Sequence, residues 1–265
     1  MTPGSPARPA AGLRVGLIGL GTIGSSLAEM VRRDETSSIR IVGALVRDPR
    51  RDRGVDVRQV DSLEELLELR PDVIAEAAGH EALAQHGPGC LRASLPLVLL
   101  SVGALADPAV ESALRSAAEA GGVSASVASG GVGALDLIAS AAQGGLQRVV
   151  HAIVKPPPAL GLAPGTEREL FRGSARKAAR EYPQNANVAA AVALAGLGLD
   201  RSEVVIASDP AATVNRQEIE VHGSFGRFQL RIENRPSATN PRTSAVVAMS
   251  LKHALERRCQ AIVIG

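Results

Sequence analysis

The chain has 265 residues, 45% of them hydrophobic, enough for one large domain or two modest ones with a real core. Lys and Arg total 29 against 27 Asp and Glu, and the aromatic residues make up only 2%, so neither a cationic face for nucleic acid nor a base-stacking platform is implied. Cys90 and Cys259 have no C-x-x-C partner, which excludes a cysteine-based zinc site, and the longest apolar run, residues 95–106, is too short to span a bilayer. A cytoplasmic protein with a small-molecule partner, without metal, membrane or nucleic acid, is the expectation.

Residues 1–12, rich in Pro, Gly and Ala, read as a disordered tail and not as a signal peptide. Short apolar runs then follow at 13–20, 39–46, 71–79, 95–103 and 122–129, as strands buried on both faces of a parallel sheet require. Between them lie helix-like stretches at 22–33, at DSLEELLELR with Asp61 or Ser62 as its cap, at 81–93, and at a segment with Pro108 in its first turn. This alternation predicts an α/β fold, a Rossmann-type doubly wound parallel sheet, over 13–140. Past residue 140 the pattern changes. LQRVVHAIVK is strand-like, a Pro/Gly-rich loop spans 156–165, and 174–181 and 186–197 look helical. EVVIASD, TVNRQEIEVHG and FGRFQLRIEN then predict three consecutive antiparallel strands. A second, smaller α+β substrate domain over 141–242 is expected, with 243–265 returning as a helix and strand to the first domain.

GLGTIG places Gly19, Gly21 and Gly24 in G-x-G-x-x-G spacing after a buried strand and, with Thr22 and Ile23, opens an apolar helix. The first glycine permits the turn, the second lets backbone approach a pyrophosphate, and the third lets helix and strand pack closely. A purely structural glycine cluster is the alternative. The second strand ends in Arg47, where NAD-binding folds usually carry an acid. A guanidinium suits a 2′-phosphate, so NADP is slightly favoured over NAD, with Asp48 open to the NAD role. Gly79 and His80 fall at the carboxyl end of the third strand, where such sheets present ligands, although His80 also suits a helix cap. Gly131, in SGGVGALD, marks either a close backbone approach to a nicotinamide or the interdomain crossover.

GLGTIG, AAGH, SVGAL, YPQNANVAAAVALAGLGLD and NPRTS occur in the order and approximate spacing of L-aspartate dehydrogenases, and the chain resembles that family from about Leu13 onward. The resemblance implies that Asn187 contacts the nicotinamide cofactor and that Gly131 is the other contact. It also implies a homodimer through the second domain's exposed sheet, and a small amino, imino or keto acid substrate. A carboxamide both donates and accepts, so Asn187 suits another carboxamide without adding charge. In NPRTS, Asn240 is expected as an N-cap, with Thr243 and Ser244 at a helix N-terminus that suits a carboxylate.

One position departs from the family. Its catalytic histidine is matched by Gln217. Strand alternation puts Gln217, Ile219 and Val221 on the apolar face, while Arg216, Glu218, Glu220 and His222 point the other way, so His222 is expected to face solvent. An amide has no titrating proton near neutral pH. The sequence therefore leaves three readings: aspartate dehydrogenation, NAD(P)H-dependent reduction of a preformed imine, with His80 the first alternative for proton transfer, and a non-catalytic dinucleotide sensor.

Overall fold

The computed structural model describes residues 12–237, 240 and 243–264, so the expected tail lies outside the described residues except for Gly12. Six parallel strands form the first sheet: β1 (Leu13–Ile18), β2 (Ile39–Leu45), β3 (Gln59–Val60), β4 (Val73–Glu76), β5 (Leu97–Leu99) and β6 (Ala125–Val127), in the order β3-β2-β1-β4-β5-β6. Helices α1 (Thr22–Arg33), α2 (Leu63–Glu68), α3 (His80–Arg92) and α4 (Pro108–Gly121) connect them. The order reverses between β1 and β4, and the carboxyl ends there open the crevice that a doubly wound sheet uses for ligands. Ser62, not Asp61, caps α2 by accepting the Glu65 N–H at 3.2 Å. The strands are shorter than the apolar runs because the residues after β4 and β5 leave the sheet, the latter into a 3-10 turn at Val102–Ala106.

The second sheet contains β7 (Leu146–Lys155), β8 (Arg168–Ser174), β9 (Glu203–Ser208), β10 (Asn215–Gly223) and β11 (Gly226–Asn234), in the order β11-β10-β7-β9-β8. Here the expectation of three consecutive antiparallel strands is corrected. β9 pairs parallel with β7 and lies apart from β10, which is antiparallel to both β7 and β11. The crossover that makes β7 and β9 parallel carries two helices, α6 (Ala175–Glu181) and α7 (Ala186–Ala195), and a strand, β8, that periodicity did not reveal. A further helix, α5 (Leu135–Ala142), was also missed.

Helices α5, α6 and α7 cover one face of this sheet, with Ile138, Ala178 and Ala189 packed in one cluster with Val149, Ile153, Val204, Ile219 and Val221. The alternation read for β10 holds: Gln217, Ile219 and Val221 are buried on this covered face. His222 is half-buried on the opposite one, 2.6 Å from Glu220. The last helix, α8 (Val246–Glu256), packs Leu251 and Leu255 into the core of the first sheet, and Lys252 pairs with Asp34 at 2.7 Å. The strand expected after it does not form. Residues 260–264 are irregular, and Ile262 and Ile264 lie exposed.

Candidate active site

A cleft of about 1290 Å³ lies over the carboxyl ends of β1, β2 and β4, lined by Gly19, Gly21, Thr22, Arg47, Asp48, Gly79 and His80. The three glycines carry three separate loads. Gly19 has φ +94° and backs onto Ala78, so a side chain there is both strained and blocked. A Cβ at Gly24 would strike the Gly19 carbonyl oxygen. Gly21 is different: an added Cβ would meet no protein atom within 4 Å. Packing therefore does not require a glycine at Gly21, whereas a ligand lying against the backbone of the cleft does. The free N–H groups at the start of α1 and the exposed Arg47 complete a surface that fits a dinucleotide, phosphates first. Ile23 does not join the lining and packs against the core of the first sheet.

His80 opens α3 at the rim of this cleft, and Asn187, in the first turn of α7, reaches it across 107 positions of sequence. The Asn187 Oδ1 accepts the Gly103 N–H at 2.9 Å and lies 2.8 Å from His80 Nε2. Because the backbone donor fixes that atom as the carbonyl oxygen, His80 must donate from Nε2. The Asn187 amino group is left exposed with no partner among the described residues. Gly103 makes this junction possible, since a Cβ there would lie 2.7 Å from the His80 ring and 2.5 Å from Ala186. Under it sits Glu76, fully buried, whose carboxylate accepts the N–H groups of Ala78, Gly79 and Ser101 and the Ser101 hydroxyl, all between 2.7 and 2.9 Å. It ties the loops after β4 and β5 together. Sequence reasoning missed Glu76, although an acid inside an apolar strand run was the available signal.

The covered face of the second sheet changes character along its length. Val149, Val221, Leu230 and Val204 fill one end, and Lys155, Ser208, Asn215, Gln217 and Asn234 occupy the other. The polar end meets the crossover loop. Asn234 Nδ2 donates to the Gly131 carbonyl at 2.7 Å, and the Gly131 Cα faces Ser244 Oγ and Val188, where a Cβ would make ordinary contact at 3.7 Å with each. Ile232, opposite Gln217 on β11, reaches Gly133 in the same way. Gln217 is thus buried close to the crossover loop, and His151 Nε2 lies 2.7 Å from its Oε1. Lys155, on the same face, has no carboxylate partner among the described residues, and burial holds it below the ordinary lysine range. Sequence reading identified neither His151 nor Lys155 as a site residue, because only the register of β7 against β10 brings His151 to Gln217 and Lys155 to the same face.

The expected role of Asn240 as an N-cap is corrected. The helix begins at Val246, and Pro241 lies outside the described residues. Residues 243–245 pair with 235–237 instead, through Ser237 N–H to Thr243 O at 2.6 Å, Ala245 N–H to Arg235 O at 3.0 Å and a Pro236–Ser244 bridge. That extended pairing delays the helix. Ser244 still reaches the Gly131 loop, but from a strand bridge and not from a helix terminus. Among the described residues no group of three or more His, Cys, Asp or Glu could hold a metal, and no helix is long and apolar enough to cross a membrane.

A glycine-lined cleft at the reversal point of a parallel sheet, joined to a mixed sheet whose helix layer reaches its rim, defines a two-domain NAD(P)-dependent dehydrogenase. A family model described as "Aspartate dehydrogenase, C-terminal" matches residues 136–258, and one described as "Homoserine dehydrogenase, NAD binding domain" matches 19–128. The chain is 38% identical to the L-aspartate dehydrogenase of Cupriavidus necator, over 95% of this chain and 100% of that one. It is 42% identical to that of Ruegeria pomeroyi over 94% of each. The crystal structure of aspartate dehydrogenase from Thermotoga maritima superposes with a TM-score of 0.80 at 25% identity, covering 96% of this chain and 99% of that one. The chain belongs to the aspartate dehydrogenase family.

Proposed function

We propose that the protein oxidises L-aspartate to iminosuccinate with a nicotinamide cofactor, and in reverse reduces the imine. In the oxidation the α-carbon gives up a hydride and the amine a proton; water addition then converts the imine to oxaloacetate and ammonia. The single observation that carries this reading is the junction of Asn187 and His80, which brings the helix layer of the second domain to the rim of the dinucleotide cleft. When bound, the cofactor supplies the hydride acceptor or donor. The Asn187 amino group would hold its carboxamide, with the Gly131 loop alongside. Gly21 and Thr22 would hold the phosphates, while Gly79, whose N–H is taken by Glu76, would only line the cleft beside the cofactor. NADP is the favoured form. The Arg47 side chain makes no hydrogen bond among the described residues and is open to a 2′-phosphate, while one oxygen of the Asp48 carboxylate accepts the Arg50 N–H at 3.0 Å. Lys155, Thr243 and Ser244 would hold the substrate carboxylates, with the Asn240 carbonyl bracing Thr243 through its N–H at 3.0 Å. A homodimer through the open face of the second sheet goes with this reading.

Gln217 sharpens the reaction. Adding ammonia to a keto acid and expelling water needs proton transfers, to which a positioned general acid-base typically contributes ~10²–10⁴-fold. An amide supplies none, whereas a protonated imine accepts hydride directly. The test is aspartate-dependent reduction of NAD⁺ and NADP⁺ by the purified protein. Turnover with aspartate supports the reading. Tight dinucleotide binding with no turnover of any amino or imino acid would favour a dinucleotide sensor instead.

A further inference from the structure

His151 lies in the middle of the second sheet, 1% exposed, between Val204 of β9 and Ile219 of β10. Its Nε2 is 2.7 Å from Gln217 Oε1, and its Nδ1 has no partner. A neutral imidazole carries one N–H. On Nδ1 that hydrogen would be an orphaned buried donor; on Nε2 it is satisfied, and only a lone pair is left unpaired, the smaller loss. Burial also pushes the ring pKa down to about 4, and no carboxylate pairs with it among the described residues. His151 is therefore a fixed, uncharged donor.

The consequence falls on the glutamine. With Oε1 held by His151, the Gln217 amide cannot flip, and its Nε2 makes no hydrogen bond among the described residues. Two N–H donors are left on the side away from β7's histidine, at the polar end of the sheet face that carries Lys155 and Asn234. Such donors match a carboxylate or carbonyl oxygen and reject an ammonium group. We propose that His151 is a positioning residue that locks Gln217 as a donor to a substrate oxygen, so that the site selects the carboxylate-bearing end of a dicarboxylate over a monocarboxylic amino acid. This rests on the reading above, in which Gln217 borders the substrate. An unlocked glutamine would turn its own carbonyl toward that oxygen part of the time, and the preference for the anionic end would weaken.

The test is a double-mutant cycle read by calorimetry, as the Kd of L-aspartate in the dead-end complex with reduced cofactor. Gln217→Ala and His151→Leu should each weaken aspartate by about 10-fold while cofactor affinity stays constant, and the double variant should be no more than about 2-fold worse than Gln217→Ala alone. His151→Gln, which can still donate to Gln217, should recover most of the loss. If Gln217→Ala changes nothing, the proposed site is wrong. If Gln217→Ala weakens binding but His151→Leu is harmless, or its effect simply adds, the positioning role is overturned. The wild type supplies a check that needs no variant: ¹⁵N shifts should give a neutral Nε2–H ring for His151 from about pH 5.5 to 8, against ~6.5 for a free histidine's midpoint. An Nδ1–H ring, or one titrating in that range, contradicts the lock.

Discussion

In the first sheet, three glycines within six residues, a strand before them and a helix after them make most of a ligand cleft from one short segment. In the second sheet, the polar end of the covered face is assembled from β7, β9, β10 and β11, and its closest pair, His151 and Gln217, is separated by 66 positions. The two regions also treat polarity differently. The cleft is open and leaves its donors exposed to whatever binds, while the sheet holds its polar groups between neighbouring strands and pairs only some of their atoms, such as Gln217 Oε1, Ser208 Oγ and Asn234 Nδ2. Function in the first region is set by where side chains are missing. In the second, on the proposal above, it is set by which atom of a buried amide is already occupied.

Acid should separate the two regions most strongly. His151 has a folded-state pKa near 4 against 6.5 when exposed, so below pH 6.5 the unfolded chain takes up a proton that the native protein refuses. The contribution is complete above pH 6.5 and is lost as the pH falls toward 4, on the order of 3 kcal/mol in all. Denaturant titrations across that window should show a steeper loss of stability for wild type than for His151→Leu. Parallel curves would mean that the ring takes up its proton in the folded protein as readily as in the unfolded chain.

Within the cleft, two alanines should give opposite results. Gly24→Ala drives a Cβ into the Gly19 carbonyl and should lower stability by about 2 kcal/mol. Gly21→Ala meets no protein atom and should leave stability nearly unchanged, while cofactor affinity falls about 10-fold, close to 1.4 kcal/mol. Equal behaviour of the two would erase the distinction between the glycine that packs and the glycine that binds. A smaller effect is expected at the rim. Arg47→Asp should shift the NADPH-to-NADH preference by about 5- to 10-fold, as loss of one exposed charge-assisted contact does. Fluorescence titration of both cofactors reads it directly, and an unchanged ratio would remove Arg47 from the phosphate site.

The contrast also explains what could be read from the sequence. The boundaries of α1, the Pro108 start of α4 and the strand-glycine-helix unit were legible because each is set by neighbours a few residues away. His80 and Asn187 were each singled out, but their hydrogen bond was not foreseen, since it depends on Gly103 admitting both elements. β8 escaped notice because RELFRGS has no clean alternation, and β9 was given the wrong direction because strand order follows the α6–α7 crossover and not the local pattern. Asn240 looked like a cap because Asn-Pro usually starts a helix. Pairing of 243–245 with 235–237 overrode that preference.

On the proposed function, Gln217 leaves a site suited to hydride transfer but short of a proton donor for building the imine. Oxidation of NADPH should be followed at neutral pH with two substrates: iminosuccinate generated in place by enzymatic oxidation of L-aspartate, and oxaloacetate with excess ammonium. We expect the preformed imine to be reduced at least ~10-fold faster, and Gln217→His to narrow that gap by raising the oxaloacetate rate. Equal rates in wild type, with Gln217→Ala leaving the oxaloacetate reaction untouched, would contradict the account and move the proton transfers to another residue, His80 first.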